Sequence, residues 1–154
     1  MNDGRVILHW GLDATAARLE RVLDGVTDED AAARPSGLTP IAWQVGHLGL
    51  VDALAVRRSG AAIEIPEGYD EVFSAGTGGA ERFPPLAELR AFARAAHQGL
   101  VTLAREAPLD RPIPDVRAYT TVGQALAFLL YHRGYHIGKM ATLRALLGKV
   151  RVFG

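Results

Sequence analysis

The longest predicted helix of this chain is the stretch TVGQALAFLLYHRGYHIGKMATLRALLG, residues 121–148. Its apolar residues recur at steps of three and four, the period of an α-helix with one buried face. Thr121 and Gln124 have the spacing of a capping box, so the helix is predicted to begin at Thr120 or Thr121. At 1.5 Å per residue it is roughly 40 Å long, enough to span a bundle. The predicted core-facing stripe contains Val122, Ala125, Leu129, His132, His136, Met140, Leu143 and Leu147.

Two histidines of this stripe, His132 and His136, are four residues apart. That spacing places both imidazoles on one helical face, from which two ring nitrogens can hold one metal ion. A third histidine, His47, is predicted to point inward from another helix. A lone core histidine usually bonds a backbone carbonyl, but burying three without partners costs a few kcal/mol, which a shared divalent cation avoids. The three are predicted to form one metal site.

Three further segments have the same helical period. The first helix is predicted over residues 5–26, the second from Pro40 to Ser59 with Thr39 as its cap, and the third over residues 85–106. Residues 60–85 contain too many glycines and prolines for a helix or a strand. A link of this length is either functional or a crossover between distant bundle ends. The predicted fold is an all-α four-helix bundle with a long connection between its second and third helices.

Composition limits the remaining possibilities. A chain of 154 residues that is 49% hydrophobic is predicted to form one domain, residues 1–154. Its 17 basic and 17 acidic residues cancel, so neither nucleic acid nor a membrane surface is expected as a partner. Because there is no cysteine, a metal must be bound by nitrogen and oxygen donors. With neither a signal-peptide pattern nor a membrane span, a cytoplasmic protein is expected.

Two well-known metal-binding patterns are absent from the sequence. The metalloprotease pattern requires Glu directly after the first histidine, and Arg133 occupies that position here. Di-iron bundles use Glu-x-x-His motifs and inward glutamates, whereas the chain has no such motif and no predicted core stripe contains a carboxylate. The predicted site is therefore mononuclear and dominated by histidine.

Two segments resemble the motifs of a known family. The segments TPIAWQVGHL (residues 39–48) and YHRGYHIGKM (residues 131–140) are similar to those of the DinB-like four-helix metalloproteins, which include bacterial thiol-dependent transferases. The resemblance covers essentially the whole chain. It implies that His47, His132 and His136 bind a divalent metal, zinc or nickel, and that the cofactor is a low-molecular-weight thiol such as bacillithiol or mycothiol. The partner substrate implied is a small-molecule electrophile.

Three neutral imidazoles leave the charge of the metal uncompensated and at least one coordination position open, as in catalytic sites. Water or a thiolate would occupy that position. Together with the resemblance, this open site predicts a metal-dependent thiol transferase. The alternative is a non-catalytic metal-binding or stress-response bundle that binds a small ligand or another protein.

Side chains near the histidines allow two interpretations each. Lys139 stands where the family commonly has Gln; it either places an ammonium group beside the metal and favours an anionic ligand, or extends outward along the helix. Trp43, one turn before His47, is either a core anchor or a wall of the metal pocket. Trp10 is expected to be a core anchor.

Four further residues lie away from the predicted site. His9 and His97 are at the edges of their apolar stripes and are expected to be solvated or to cap a helix. Gly134 and Gly138 share the face opposite the histidines, where the missing side chains cost helix stability unless another backbone comes close. They predict tight packing against a neighbouring helix or a contact in a homodimer.

Overall fold

The computed structural model describes residues 3–153. In chain order its α-helices are α1 (Asp3–Leu23), α2 (Asp28–Ala32), α3 (Ile41–Arg58), α4 (Tyr69–Phe73), α5 (Leu86–Glu106) and α6 (Val122–Leu146). A short 3₁₀ turn, Pro35–Gly37, precedes α3. Across residues 3–153 the only β-type pairing is an isolated bridge between Pro112 and Thr121. The prediction of an all-α bundle is confirmed, with the four predicted helices as α1, α3, α5 and α6. The prediction that residues 60–85 form no helix is wrong, because α4 lies there. Helix α3 has Pro40 rather than Thr39 at its N-cap and no side-chain cap.

Local sequence sets where α6 begins and where the long helices end. Thr121 Oγ1 accepts a hydrogen bond from Gln124 N (3.3 Å), and Gln124 Oε1 accepts one from Thr120 N (2.9 Å). These bonds satisfy backbone donors that an uncapped helix leaves free. Gly25 and Gly148 follow the ends of α1 and α6 with positive φ angles of 66° and 73°. The left-handed conformation that glycine tolerates ends both helices slightly before the predicted residues.

The four long helices form a ring in which α1 and α3 each pack against both α5 and α6. Arg133 on α6 contacts Thr15 on α1, and Arg144 further along α6 contacts the carbonyl of Val22, so α1 and α6 are parallel. Helices α3 and α5 are also parallel, because Gly49 faces Phe92 and Val56 faces Gly99. The chain must therefore return along the whole bundle between α3 and α5. That requirement makes the predicted long connection a crossover.

Helix α3 is the most deeply buried element of the bundle. Of its 18 residues 14 are buried, so it is enclosed on nearly every side. Gly49 allows α5 to approach it closely, since an added Cβ would lie 2.7 Å from Cδ1 of Phe92. The backbone of α3 is therefore rigid, and it holds the side chains attached to it in fixed positions.

Two packing predictions are wrong. Trp10 is 70% exposed; it lies two residues from both Leu8 and Leu12, about 200° around the helix from each, and so faces outward. Within the described part of the chain, a Cβ added at Gly134 or Gly138 would meet nothing within 4 Å, so no helix there packs tightly against them. Among residues 3–153, no helix has the length and apolar character needed to cross a membrane.

Candidate metal centre

Three histidine side chains converge between α3 and α6. His47 comes from the middle of α3, and His132 and His136 come from successive turns of α6. One ring nitrogen of each lies within 4.8 Å of those of the other two. The Nε2 atoms of His132 and His47 are 3.2 Å apart. The structure thus brings together the three residues that the sequence singled out.

Two of the imidazoles are oriented by hydrogen bonds at their outer nitrogens. His47 Nδ1 lies 2.7 Å from the carbonyl oxygen of Phe73, and His136 Nδ1 lies 2.5 Å from Oε1 of Gln44. Because both oxygens can only accept, each Nδ1 carries the proton and donates it. This tautomer leaves the lone pair on Nε2, as in metal sites where a second group fixes the ligating ring.

His132 is held differently from the other two histidines. Its Nδ1 atom is buried and has no hydrogen-bond partner among the residues that the structure describes. Its ring stacks instead on Phe128, with the centroids 5.9 Å apart and the planes 19° from parallel. An unpaired buried nitrogen costs free energy, and the ring is restrained by its stacking on Phe128 and by the contact of its Nε2 with His47 Nε2.

The crossover supplies part of the site. Phe73 is the last residue of α4, and its ring packs over Gly46 on α3 so closely that an added Cβ would overlap it. The absent side chain at Gly46 therefore lets α4 reach His47 with its carbonyl. Sequence periodicity could not reveal this contact, because a backbone carbonyl has no sequence signature.

Trp43 lies against the ring of His47. The two rings are stacked with centroids 4.5 Å apart and planes 10° from parallel. The indole Nε1 donates to the carbonyl of Val72 (3.0 Å) and to Oγ1 of Thr77 (3.2 Å), both in the crossover. Trp43 thus closes one side of the histidine cluster and also ties the crossover to α3.

Burial keeps the three imidazoles neutral near pH 7. It is the largest cause that lowers the pKa of His47, that lowers the pKa of His132 to about 4, and that lowers the pKa of His136 to about 3. The neighbouring histidines lower the pKa of His132 and of His136 further, since two imidazolium ions so close together repel. A neutral imidazole is the form that binds a metal.

Lys139 lies at the rim of the cluster and is exposed. Its Nζ atom is 5.1 Å from the centroid of the Tyr135 ring, a cation–π arrangement. The Tyr135 ring in turn meets His136 edge-on, with centroids 5.0 Å apart. The Lys139 side chain extends outward, yet its positive charge still contributes to the lowered pKa of His47 and of His136.

A buried ion pair beside the histidines was not predicted. Arg133 donates from Nε (2.9 Å) and Nη2 (2.6 Å) to Oδ2 of Asp52, and the two residues are 3% and 1% exposed. The prediction that no core stripe contains a carboxylate is therefore wrong. The available signal was one acidic residue in the apolar run of α3 and one basic residue beside the apolar stripe of α6. Complementary charges in two apolar helices indicate a buried pair.

His9 and His97 lie outside the cluster. His9 Nδ1 is 3.2 Å from Oδ2 of Asp13 at the outer side of α1, and its side chain is half-buried. His97 is more deeply buried than expected, with a side chain only 12% exposed, and its Nδ1 is 3.4 Å from Nη1 of Arg133. The pKa of His97 is lowered to about 4, mainly by burial and then by the charge of Arg133.

The donor set fits a divalent transition metal. The cluster contains three imidazoles and no carboxylate, a combination that suits zinc, nickel and related first-row ions and disfavours magnesium or calcium. Asp52, the nearby acid, is paired with Arg133 through Oδ2 and is not part of the cluster. Because hydrogen bonds at Nδ1 fix the tautomers of His47 and His136, the lone pairs on their Nε2 atoms can bind a metal.

A helical bundle with three inward histidines from two facing helices defines the class: an all-α protein with a candidate mononuclear metal centre. The family model described as the DinB superfamily matches residues 11–140, which include all three histidines, the ion pair and most of the bundle. The chain belongs to the DinB superfamily. No curated protein matches the sequence.

Proposed function

We propose that the protein is a metal-dependent enzyme that transfers a low-molecular-weight thiol to a small-molecule electrophile. One observation carries the proposal: His47, His132 and His136 converge, and two of them are held by hydrogen bonds in the tautomer that ligates through Nε2. The three imidazoles would hold a divalent ion, with zinc and nickel as the best candidates. A bound ion would supply Lewis-acid activation by lowering the pKa of a thiol in its open position.

The surrounding residues position and shield the reacting group. Trp43 packs over His47, and Phe128 over His132, so apolar rings exclude water from two sides of the cluster. Less water means a lower local dielectric, which strengthens every charge interaction there. Gln44 and the carbonyl of Phe73 hold two rings in place before a ligand arrives.

The rim of the cluster favours an anionic substrate. The Lys139 ammonium group is exposed above Tyr135. Since the three histidines are neutral, Lys139 adds to the positive potential of a bound cation rather than offsetting it. A thiol or electrophile that carries a carboxylate would be attracted to this rim.

One observation favours the alternative of a non-catalytic metal-binding bundle. His47 and His136 are only 7% and 5% exposed, so the route to the cluster is narrow. In that alternative the metal stabilises α3 against α6, and the protein acts by binding a small ligand or a partner protein.

Metal content is the first test. Protein purified without a polyhistidine tag and analysed for zinc, nickel, iron and manganese should contain about one equivalent in total. His47→Ala should abolish binding, whereas His9→Ala, a half-buried histidine outside the cluster, should leave it unchanged. Because Trp43 stacks on His47, tryptophan fluorescence should change when metal is titrated into the protein. Less than about a tenth of an equivalent in the wild type, with no binding on titration, would refute the metal centre.

Turnover separates the two functions. The metal-loaded protein is incubated with a panel of cellular thiols and a chromogenic electrophile, and conjugate formation is followed. Activity that is lost both in His47→Ala and after chelation supports the transferase. Stoichiometric metal without turnover for any thiol, together with a melting temperature that falls sharply on chelation, supports the alternative.

A further inference from the structure

An exposed apolar face runs along the outer side of the parallel helices α1 and α6. We define this α1/α6 face by Ile7, Trp10, Ala14, Tyr131, Gly134 and Gly138. We propose that it binds a second copy of the chain across a two-fold axis close to Gly134. The inference does not depend on the metal centre, which lies on the opposite side of α6.

Three large side chains on this face are exposed to solvent. Trp10 is 70%, Ile7 63% and Tyr131 72% exposed. They are close together, because a Cβ added to Gly11 would lie 2.6 Å from Leu130, so residues 10 and 131 are at the same level of the two adjacent helices. A contiguous apolar patch of this kind marks an interaction site rather than ordinary surface.

The part of the face that α6 contributes has no charged residue, whereas on α1 the exposed Arg18 lies one turn after Ala14. The outward positions of α6 at residues 127, 131, 134, 138 and 141 are Ala, Tyr, Gly, Gly and Ala. A helix that faces water normally presents charged and polar residues there. The net formal charge of the chain is also zero, so two copies do not repel each other as they approach.

Two glycines on the face are not required by packing within the described part of the chain. Gly134 and Gly138 are exposed in the middle of a 25-residue helix, and an added Cβ at either would have open space. Glycine in the middle of a helix lowers helix stability relative to alanine. The missing side chains would, however, let the backbone of a second helix come close.

A two-fold axis at Gly134 places large residues opposite small ones. Two antiparallel copies of α6 that cross there bring Tyr131 of one copy opposite Gly138 of the other, because the two lie three and four residues from the axis. Ala127 and Ala141, each seven residues away, also meet. The face is therefore self-complementary, as an isologous dimer requires.

The exposed area is appropriate for a dimer. A fully buried aromatic side chain removes about 150–250 Å² from water. At the exposures given above, Trp10 and Tyr131 together would contribute roughly 200–350 Å². A stable interface needs about 800 Å² per partner. Two side chains thus supply between a quarter and nearly half, and Ile7 with the flanking alanines and glycine backbone extends the contact.

The absence of cysteine from the chain allows a clean crosslinking test. Gly134→Cys places a thiol beside the proposed axis, so mild oxidation should give a disulfide-linked dimer at micromolar protein concentration. Ala95→Cys, exposed on α5, is the matched control and should remain monomeric. Equal crosslinking of both variants, or none in Gly134→Cys, would overturn the proposed interface.

Sedimentation velocity tests the association itself. The wild type should show a concentration-dependent dimer, and Gly134→Glu should raise the dissociation constant at least tenfold by placing two like charges at the axis. Ala95→Glu is the control and should dimerise like the wild type. If Gly134→Glu lowers helix content by circular dichroism, Trp10→Gln replaces it. A wild type that stays monomeric at 100 µM refutes the proposal. Binding of vesicles or of another protein to this face by a monomeric chain also refutes it.

Discussion

Arg133 and Asp52 join the two helices that carry the histidines, with Nη2 of Arg133 lying 2.6 Å from Oδ2 of Asp52 in the buried core. Arg133 directly follows His132, and Asp52 is five residues after His47. The pair therefore restrains the axial position of α6 relative to α3. If α6 slid along its axis by the rise of one residue, each of its histidine nitrogens would move by about 1.5 Å, enough to disrupt metal coordination.

Removing one partner of this pair should strongly destabilise the protein. Asp52→Asn leaves the Arg133 charge buried without a counterion, and the free energy of unfolding should fall by about 3–5 kcal/mol in urea titrations. Asp13→Asn removes an exposed carboxylate from His9 and should cost less than about 1 kcal/mol. A loss below about 1 kcal/mol for Asp52→Asn would contradict this account. Asp52→Leu combined with Arg133→Met should recover most of the stability, since no buried charge remains.

The amide of Gln44 should control metal affinity through His136. Gln44→Ala removes the oxygen that accepts the Nδ1 proton, so the ring loses its orientation and affinity should fall about 10–100-fold. Competition with a chelator of known affinity measures the change. Gln98→Ala, exposed on α5, is the control and should bind as the wild type does. Unchanged affinity in Gln44→Ala would show that packing alone orients His136.

Addition of one methyl group at Gly46 should disturb the contact between α4 and α3. Gly46→Ala forces the Phe73 ring away, which costs about 1–3 kcal/mol of stability and also displaces the carbonyl that holds His47. Both the melting temperature and the metal affinity should decrease. Gly79→Ala has open space and an ordinary backbone conformation, so it should change neither. Decreased stability with unchanged metal affinity would show that the Phe73 carbonyl is not needed for metal binding.

Acid should destabilise the metal-free protein partly through His97. The groups that face it are Asp13 and His9 from α1 and Arg133 from α6. Its pKa is lowered to about 4 in the folded state, against about 6.5 in an unfolded chain. Above pH 6.5 the contribution to stability is complete; between pH 6.5 and 4 only the unfolded state binds the proton, so stability is lost as pH falls.

His97→Gln should therefore flatten the pH dependence of unfolding in that range. One proton corresponds to about 1.4 kcal/mol per pH unit, and partial exposure makes the expected difference in slope up to about 1 kcal/mol per pH unit. Urea titrations of both proteins at pH 7.5, 6, 5 and 4.5 measure it. Glutamine can still accept from Arg133, so the two should have similar stability at pH 7.5. Parallel pH profiles would show that His97 is protonated equally in both states.

Much of the candidate site could be predicted because its signals are local. The i, i+4 spacing of His132 and His136 requires only a helix to bring the rings together, and the capping of α6 at Thr121 depends on residues three apart. The inward direction of His47 likewise follows from its position among apolar neighbours. Residue type alone predicts burial of Trp10, but its helical angle points outward and the side chain is exposed.

The four long helices, their apolar faces and the three histidines on them can be predicted from sequence, because helical period and side-chain chemistry act over a few residues. The short helix α4 could not be predicted, because it lies among glycines and prolines. The groups that support the cluster became visible only in the folded chain: the carbonyl of Phe73, the amide of Gln44 and the Asp52–Arg133 pair. Those contacts join residues 26, 92 and 81 positions apart. Their geometry depends on how α3, α4 and α6 pack, and that packing is a property of the whole core, which no single segment encodes.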